Sequence, residues 1–153
     1  MKSWIGIDPG ANGALCHLFE NKDIKFIDFK TDGLRGYIDY LSSIEDKKTI
    51  QMVSVEQVSS MPGQGVKSMF SFGQRLGELE GMLQALKIGY IQTRPQVWQK
   101  TCKVKAKSGK KGIFEAISKI YPEAELLGSK GGIKDGRCDS LGIAHNLRLT
   151  VEF

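Results

Sequence analysis

The sequence has no long hydrophobic run: none of its segments approaches the roughly 20 consecutive apolar residues of a membrane-spanning helix. Near the N-terminus, Gly6, Asp8 and Gly10 interrupt the apolar stretch that a secretory leader would need. We therefore expect neither a leader nor a transmembrane segment, no membrane association, and a cytoplasmic location.

Cysteine and histidine are also scarce, with three and two residues respectively. Cys16, Cys102 and Cys138 are odd in number and show no paired spacing, as expected for a protein in a reducing compartment. Neither a CxxC nor an HxxxH motif brings them together with His17 or His145, so the sequence argues against a zinc site.

What the chain has is an ordinary globular composition with an uneven distribution of charge. Its 153 residues are 41% hydrophobic and 25% charged, which favours a single domain, 1–153, with its own core. Residues 100–119 contain seven lysines and one acid, a net charge of +6, whereas the remainder, with 15 basic and 16 acidic residues, has a net charge of −1. This concentration is typical of a phosphate-contacting surface, although a solvated lysine face is the usual explanation of such a run.

The order of apolar segments predicts an α/β fold. Three short segments joined by short connections predict an antiparallel meander, and two later strands alternate with helices. We expect a mixed five-stranded sheet flanked by helices on both faces, in which three antiparallel strands are followed by parallel ones. The predicted strands are 2–8, 14–19, 24–29, 51–56 and 89–93, and the predicted helices include 33–44, a long one ending near 86, 95–103, 109–121 and 135–149.

Several residues have a predicted structural role. Gly73, Gly77 and Gly81 recur every four residues in the long helix, which predicts a close approach to the sheet or to another helix. Ser108 is a candidate N-cap. Trp98 is expected to be buried against the sheet.

Four acidic residues are candidates for chemistry. Asp8 and Glu56 each end an apolar strand, and Asp135 and Asp139 lie one helical turn apart near the C-terminus. In isolation, Asp8 is more often a turn former or cap, Glu56 a surface charge at a strand end and Asp135 a helix N-cap. Asp139 has no such explanation, because it lies inside the predicted helix among small and apolar neighbours. Together, however, they suit hydrated divalent cations, because Mg²⁺ takes carboxylate oxygens and keeps several waters.

Five segments in this order resemble the RuvC-type Holliday-junction resolvases of the ribonuclease-H-like superfamily, in a form similar to bacteriophage variants. They are IGIDPGANGA with Asp8, VSVEQV with Glu56, GQGVKSMFSFG, RPQVWQK, and DGRCDSLGIAH with Asp139. The resemblance extends over almost the whole chain and implies a ribonuclease-H-like fold in a bacterial or phage-infected host cytoplasm.

The resemblance further implies a homodimer that nicks four-way DNA junctions symmetrically, leaving 5′-phosphate and 3′-hydroxyl ends. Each active site would use two Mg²⁺ or Mn²⁺ ions, held by Asp8, Glu56, Asp135 and Asp139. The chain departs from the family in its last helix: the bacterial spacing of three would pair Asp139 with Gly136, whereas here Asp135 stands four before it.

The resemblance places Lys107, Lys110 and Lys111 near the scissile phosphate, and the segment 61–72 is a second candidate for DNA contact. Met61, Phe70 and Phe72 would lie near the junction centre, although core packing is the expected role of the two phenylalanines. The candidate DNA-binding residues are Gln64, Lys67, Lys100, Lys103, Lys105, Lys107, Lys110 and Lys111.

Three other interpretations remain open at this point. One is a broader branched-DNA or flap endonuclease, and another is a catalytically silent structure-specific DNA-binding module. The third, an actin-like phosphotransferase suggested by IGIDPG, is disfavoured because such enzymes need two related lobes.

Overall fold

A computed structural model describes residues 1–57, 63 and 65–151 of the chain. The strands are β1 (Ser3–Ile7), β2 (Ala14–Phe19), β3 (Ile24–Asp28), β4 (Ile50–Glu56) and β5 (Tyr90–Thr93). The helices are α1 (Phe29–Ser43), α2 (Val66–Ala85), α3 (Pro95–Thr101), α4 (Gly109–Ile120) and α5 (Asp135–Thr150), with a 3₁₀ turn at Lys47–Thr49. No helix among these residues is long and apolar enough to cross a membrane.

The five strands form one mixed sheet in the order β3-β2-β1-β4-β5. The short turns between β1, β2 and β3 make these strands antiparallel, whereas β4 and β5 join the sheet parallel to β1. The predicted fold class is therefore confirmed. Strand β1 lies at the centre and is buried along its length, so the residue that follows it emerges from the most rigid part of the sheet.

The sheet separates two hydrophobic cores, because side chains alternate between its faces. Ile5 and Ile7 of β1 point into a core closed by α1 and α2, together with Val53 and Val55 of β4. The opposite core lies under α3, α4 and α5 and contains Trp98, Ile117 and Leu141 among others. The same alternation directs position 6 of β1 and positions 54 and 56 of β4 towards α3 and α5.

Helix α5 packs directly on β1 because Gly6 has no side chain at the contact. A Cβ atom on Gly6 would lie 2.7 Å from the backbone nitrogen of Ala144. At Gly136, a Cβ would lie 2.8 Å from the Cα of Gly13. Small residues therefore let this helix approach the sheet closely.

The start of the first helix was predicted wrongly, whereas the predicted N-cap position of α4 was confirmed. The first helix starts at Phe29 instead of residue 33, and Gly33 interrupts it with φ 64° and ψ −170°, a conformation open to glycine. Ser108 occupies the N-cap position of α4 but makes no side-chain cap. Its hydroxyl instead donates to the carbonyl oxygen of Lys105 at 2.5 Å.

The glycine row of α2 does not approach another part of the described chain. A Cβ atom at Gly73, Gly77 or Gly81 would have no described atom within 4 Å, so the predicted close approach is wrong within one chain. Phe70, one turn earlier, is 73% exposed, and its expected packing in the core is wrong as well. Within the part of the chain that the structure describes, this face of α2 is therefore open.

Candidate metal centre and active site

Asp8 immediately follows β1 at the carboxyl edge of the sheet. Its backbone N–H donates to the carbonyl oxygen of Ala14 at 3.0 Å, and its Oδ1 accepts from the N–H of Gly10 at 3.2 Å. The Pro9-Gly10 turn thus fixes the carboxylate. Side chains alternate along β1, so residues 4, 6 and 8 lie on the opposite face of the sheet from Ile5 and Ile7. Asp8 therefore belongs to the face covered by α5.

Glu56 is the last residue of β4, the parallel neighbour of β1. The register pairs Ile7 with Val55, so the residues that follow them, Asp8 and Glu56, come next to each other at the same edge. Glu56 is 8% exposed, and its Oε2 accepts a 2.7 Å hydrogen bond from the indole Nε1–H of Trp98.

Asp139 comes from α5, one turn after the start of that helix. The close approach of α5 to β1 brings its carboxylate to the two strand ends. One carboxylate oxygen each from Asp8, Glu56 and Asp139 all lie within 4.8 Å of one another. Three of the four predicted acids thus converge on one point.

Burial raises the pKa values of all three carboxyl groups. Burial, with a smaller contribution from Asp135, raises the pKa of Asp8 to about 6 although the Gly10 N–H opposes it. Burial likewise raises the pKa of Glu56 to about 7, and burial together with the charges of Asp8 and Glu56 raises the pKa of Asp139 to about 8. Crowded, desolvated carboxylates favour a bound cation. The donor set, three hard oxygen ligands, suits Mg²⁺ or Mn²⁺.

Asp135 occupies a different position from the other three. It is absent from the three-carboxylate cluster, and its Oδ2 lies 3.1 Å from the Nζ of Lys110. Its charge nevertheless contributes to raising the pKa values of Asp8 and Asp139, so it lies close enough to influence the site. Its role as a metal ligand stays a prediction.

The predicted DNA-binding lysines lie on the surface. Among those described, all the predicted DNA-binding lysines are exposed: Lys67, Lys100, Lys103, Lys105, Lys107, Lys110 and Lys111. A groove of about 620 Å³ beside the Asp8 turn is lined by Pro9, Lys67 and Arg75 among others. Gln64 and Met61 lie outside the described residues. DNA contact by any of these residues stays a prediction.

Sequence reasoning missed two residues that hold the site. It expected burial of Trp98 but not its bond to Glu56, although a buried indole N–H usually needs an acceptor. It also passed over Arg137, inside the DGRCD segment. The Nε and Nη2 of Arg137 donate to the two carboxylate oxygens of Asp28 at 2.9 and 2.7 Å, and Lys134 donates to Oδ2 at 3.1 Å. This cluster ties the start of α5 to the end of β3.

Comparison with known proteins shows which fold this is. No family model and no curated protein matches the sequence. Among solved structures, however, RuvC of Thermus thermophilus in complex with a Holliday junction substrate superposes with a TM-score of 0.67 at 13% identity, covering 99% of this chain and 98% of RuvC. A second Thermus thermophilus RuvC structure gives a TM-score of 0.61 at 14% identity, covering 97% of each chain.

The yeast mitochondrial Holliday junction resolvase Ydc2 has the same fold, with a TM-score of 0.54 at 14% identity over 95% of this chain and 77% of Ydc2. The chain therefore has the ribonuclease-H-like fold of RuvC, as the resemblance predicted. At sequence identities this low, the similarity shows a shared fold and nothing more.

Proposed function

We propose that this chain is a divalent-metal-dependent endonuclease that resolves four-way DNA junctions by paired symmetric nicks. The observation that carries the proposal is the convergence of Asp8, Glu56 and Asp139 within 4.8 Å at one edge of a RuvC-like fold. The structural neighbours support it, because one is described in complex with a Holliday junction and another as a Holliday junction resolvase.

The carboxylates supply the ligands for this chemistry. Asp8, at the end of the central strand, would contact both of two ions, and Glu56, Asp139 and Asp135 would complete the site. When bound, Mg²⁺ or Mn²⁺ polarises the scissile phosphate and stabilises charge on the attacking and leaving oxygens of an in-line displacement. No serine, cysteine or histidine is required as a nucleophile, and the products would carry 5′-phosphate and 3′-hydroxyl ends.

The buried carboxylates and the exposed lysines have separate roles. The carboxylates lie on two strand ends and a helix packed against them, so their spacing is fixed before the substrate arrives. The lysines of residues 100–111 contribute positive charge that attracts the DNA backbone. Lys67, near the start of α2, lines the groove beside the Asp8 turn and would add a further positive charge there.

The proposal includes a homodimer of single-domain chains, 1–153, in a bacterial or phage-infected cytoplasm. Paired nicks require two active sites on one junction, and the open face of α2 offers a surface for self-association. It carries the exposed Gly73, Gly77 and Gly81 row next to Phe70. Gly77→Leu should yield a folded monomer in sedimentation experiments, because no described atom of the same chain obstructs a side chain there.

The test is cleavage of an end-labelled four-way junction beside its linear duplex, with Mg²⁺, Mn²⁺ or EDTA. Symmetric nicks that require metal and spare the duplex support the proposal. Equal cutting of flaps and Y-forms would redefine the protein as a broader branched-DNA endonuclease. Binding without cutting under either metal would overturn it in favour of a silent DNA-binding module.

A further inference from the structure

Trp98 connects two of the three elements that carry the carboxylates. The residue lies in α3 and is fully buried. Its Nε1–H donates to Glu56 of β4 at 2.7 Å, while its ring lies against Gly142 of α5. A Cβ atom on Gly142 would lie 2.5 Å from Cε3 and 2.6 Å from Cζ3 of the indole, so the ring occupies the space of a missing side chain.

The position of Gly142 links this packing to the site. It lies three residues after Asp139 on α5, which places the two residues on neighbouring faces of successive turns. The indole therefore packs against the helix that carries Asp139 and donates a hydrogen bond to the side chain of Glu56. The ring's position is therefore coupled to the placement of both Glu56 and the helix that carries Asp139.

The hydrogen bond also restricts Glu56 itself. A glutamate has three side-chain torsions, and without a partner its carboxylate samples several orientations. Donation from a buried N–H to Oε2 selects one orientation. In metal sites, partners of this kind orient the ligands and commonly affect metal affinity or activity by about 10- to 100-fold.

We propose that Trp98 is a positioning residue that holds the Glu56 carboxylate in the orientation required for divalent-metal binding. The proposal rests on the nuclease function proposed above. The proposal predicts that the N–H group itself, and not only the bulk of the ring, contributes measurably to the affinity for the metal ion.

The chain contains a matched control for this proposal. Trp4, the other tryptophan, is also buried at 6% exposure, but its Nε1 has no hydrogen-bond partner among the described residues. Trp98→Phe removes an N–H bonded to Glu56 and retains an aromatic ring. Trp4→Phe makes the same chemical change where the N–H has no such partner.

The experiment compares Mn²⁺ affinity, measured by calorimetry without DNA, with junction cleavage for the two variants. We expect Trp98→Phe to weaken Mn²⁺ binding by about 10-fold or more and Trp4→Phe to leave it within about 2-fold. Cleavage by Trp98→Phe should recover partly at high Mn²⁺ concentration, which a general loss of structure would not allow. Equal Mn²⁺ affinities of the two variants would overturn the positioning role.

A second measurement covers the case in which Trp98→Phe does not fold. The two indole N–H signals in a ¹H–¹⁵N spectrum report directly on the two tryptophans. Mn²⁺ is paramagnetic, so Mg²⁺ is the titrant. The Trp98 signal should move in Glu56→Ala and again when Mg²⁺ is added to the wild type, while the Trp4 signal stays in place. A Trp98 signal unaffected by both changes would overturn the proposal.

The outcomes separate this inference from the proposed function. A wild-type protein that binds Mn²⁺ but cleaves no junction contradicts the nuclease, while the effect of Trp98→Phe on affinity still decides the positioning role. A wild-type protein that binds neither Mn²⁺ nor Mg²⁺ overturns both.

Discussion

Lys110 and Asp135 form an ion pair, with 3.1 Å between Nζ and Oδ2, that joins the lysine-rich segment to the helix carrying Asp139. The lysine side chain is 77% exposed, so the pair is solvent-screened and contributes little to stability. The location of the ion pair is its important feature. It brings a cation of the proposed DNA-binding surface beside an acid that is proposed to contact metal.

This pair allows the role of Asp135 to be tested. If Asp135 contributes to metal binding, Asp135→Asn should reduce cleavage at least about 10-fold at limiting Mg²⁺, and Lys110→Gln should affect mainly DNA affinity. A double variant measured in the same assay separates the two roles. If Asp135 serves only as the partner of Lys110, the double variant would be no worse than Lys110→Gln alone.

Asp8 should be indispensable for cleavage but not for binding. Asp8→Asn preserves the shape of the side chain and removes one charge from the three-carboxylate cluster. We expect cleavage to fall by a factor on the order of 10³ or more, with junction affinity unchanged or tighter because less negative charge faces the phosphate. Electrophoretic mobility shifts with and without metal would measure binding, and normal turnover by the variant would contradict the assignment.

The lysine-rich segment should determine the salt dependence of junction binding. Neutralising Lys107, Lys110 and Lys111 to glutamine should reduce the slope of log K against log salt by about one unit for each phosphate that these lysines neutralise. The matched control changes Lys47, Lys48 and Lys87, which are also exposed but precede the amino ends of β4 and β5. An equal slope for both triple variants would identify residues 100–111 as an ordinary solvated face.

The metal-free protein should lose stability as the pH rises from about 5 to 8. The pKa values of Asp8, Glu56 and Asp139 are raised from 3.8, 4.5 and 3.8 to about 6, 7 and 8. In this range the folded state binds more protons than the unfolded state, so the free energy of unfolding falls with increasing pH. Thermal unfolding in EDTA would measure this decline.

Asp139→Asn should flatten that decline, because it removes the carboxyl group with the highest pKa of the three. Mg²⁺ should raise the melting temperature of the wild type more at pH 8 than at pH 6, since protons compete for the same oxygens. A melting temperature that rises between pH 6 and 8 in EDTA would contradict the clustering of the three acids.

The bond between Asp28 and Arg137 should stabilise the fold. Arg137 and Lys134 together lower the pKa of Asp28, with the Arg137 hydrogen bond the largest cause. We expect Asp28→Asn to cost about 1.5–3 kcal/mol in denaturant unfolding, as for hydrogen bonds to charged groups. Asp39→Asn, on an exposed position of α1, should stay within about 0.5 kcal/mol. Similar effects at both positions would mean that the cluster does not anchor α5.

The fold was largely predictable because its signals are local. The alternation of apolar residues in β1 and β4, the short connections of the meander and the spacing of apolar residues in the helices each depend on nearby sequence. The placement of Asp8 and Glu56 at strand ends follows from the same pattern, and parallel pairing then brings those ends together. The sequence by itself therefore determined the sheet and two of the three clustered carboxylates.

Tertiary structure decided how the remaining residues are used. Asp135 and Asp139 lie one turn apart on the same helix, yet only Asp139 joins the cluster. Helix α5 can come this close to β1 because Gly6 has no side chain. Trp98 acquires Glu56 as a partner 42 residues away, and Arg137 acquires Asp28 at a separation of 109 residues. Such contacts depend on the packing of distant segments, which no local periodicity encodes.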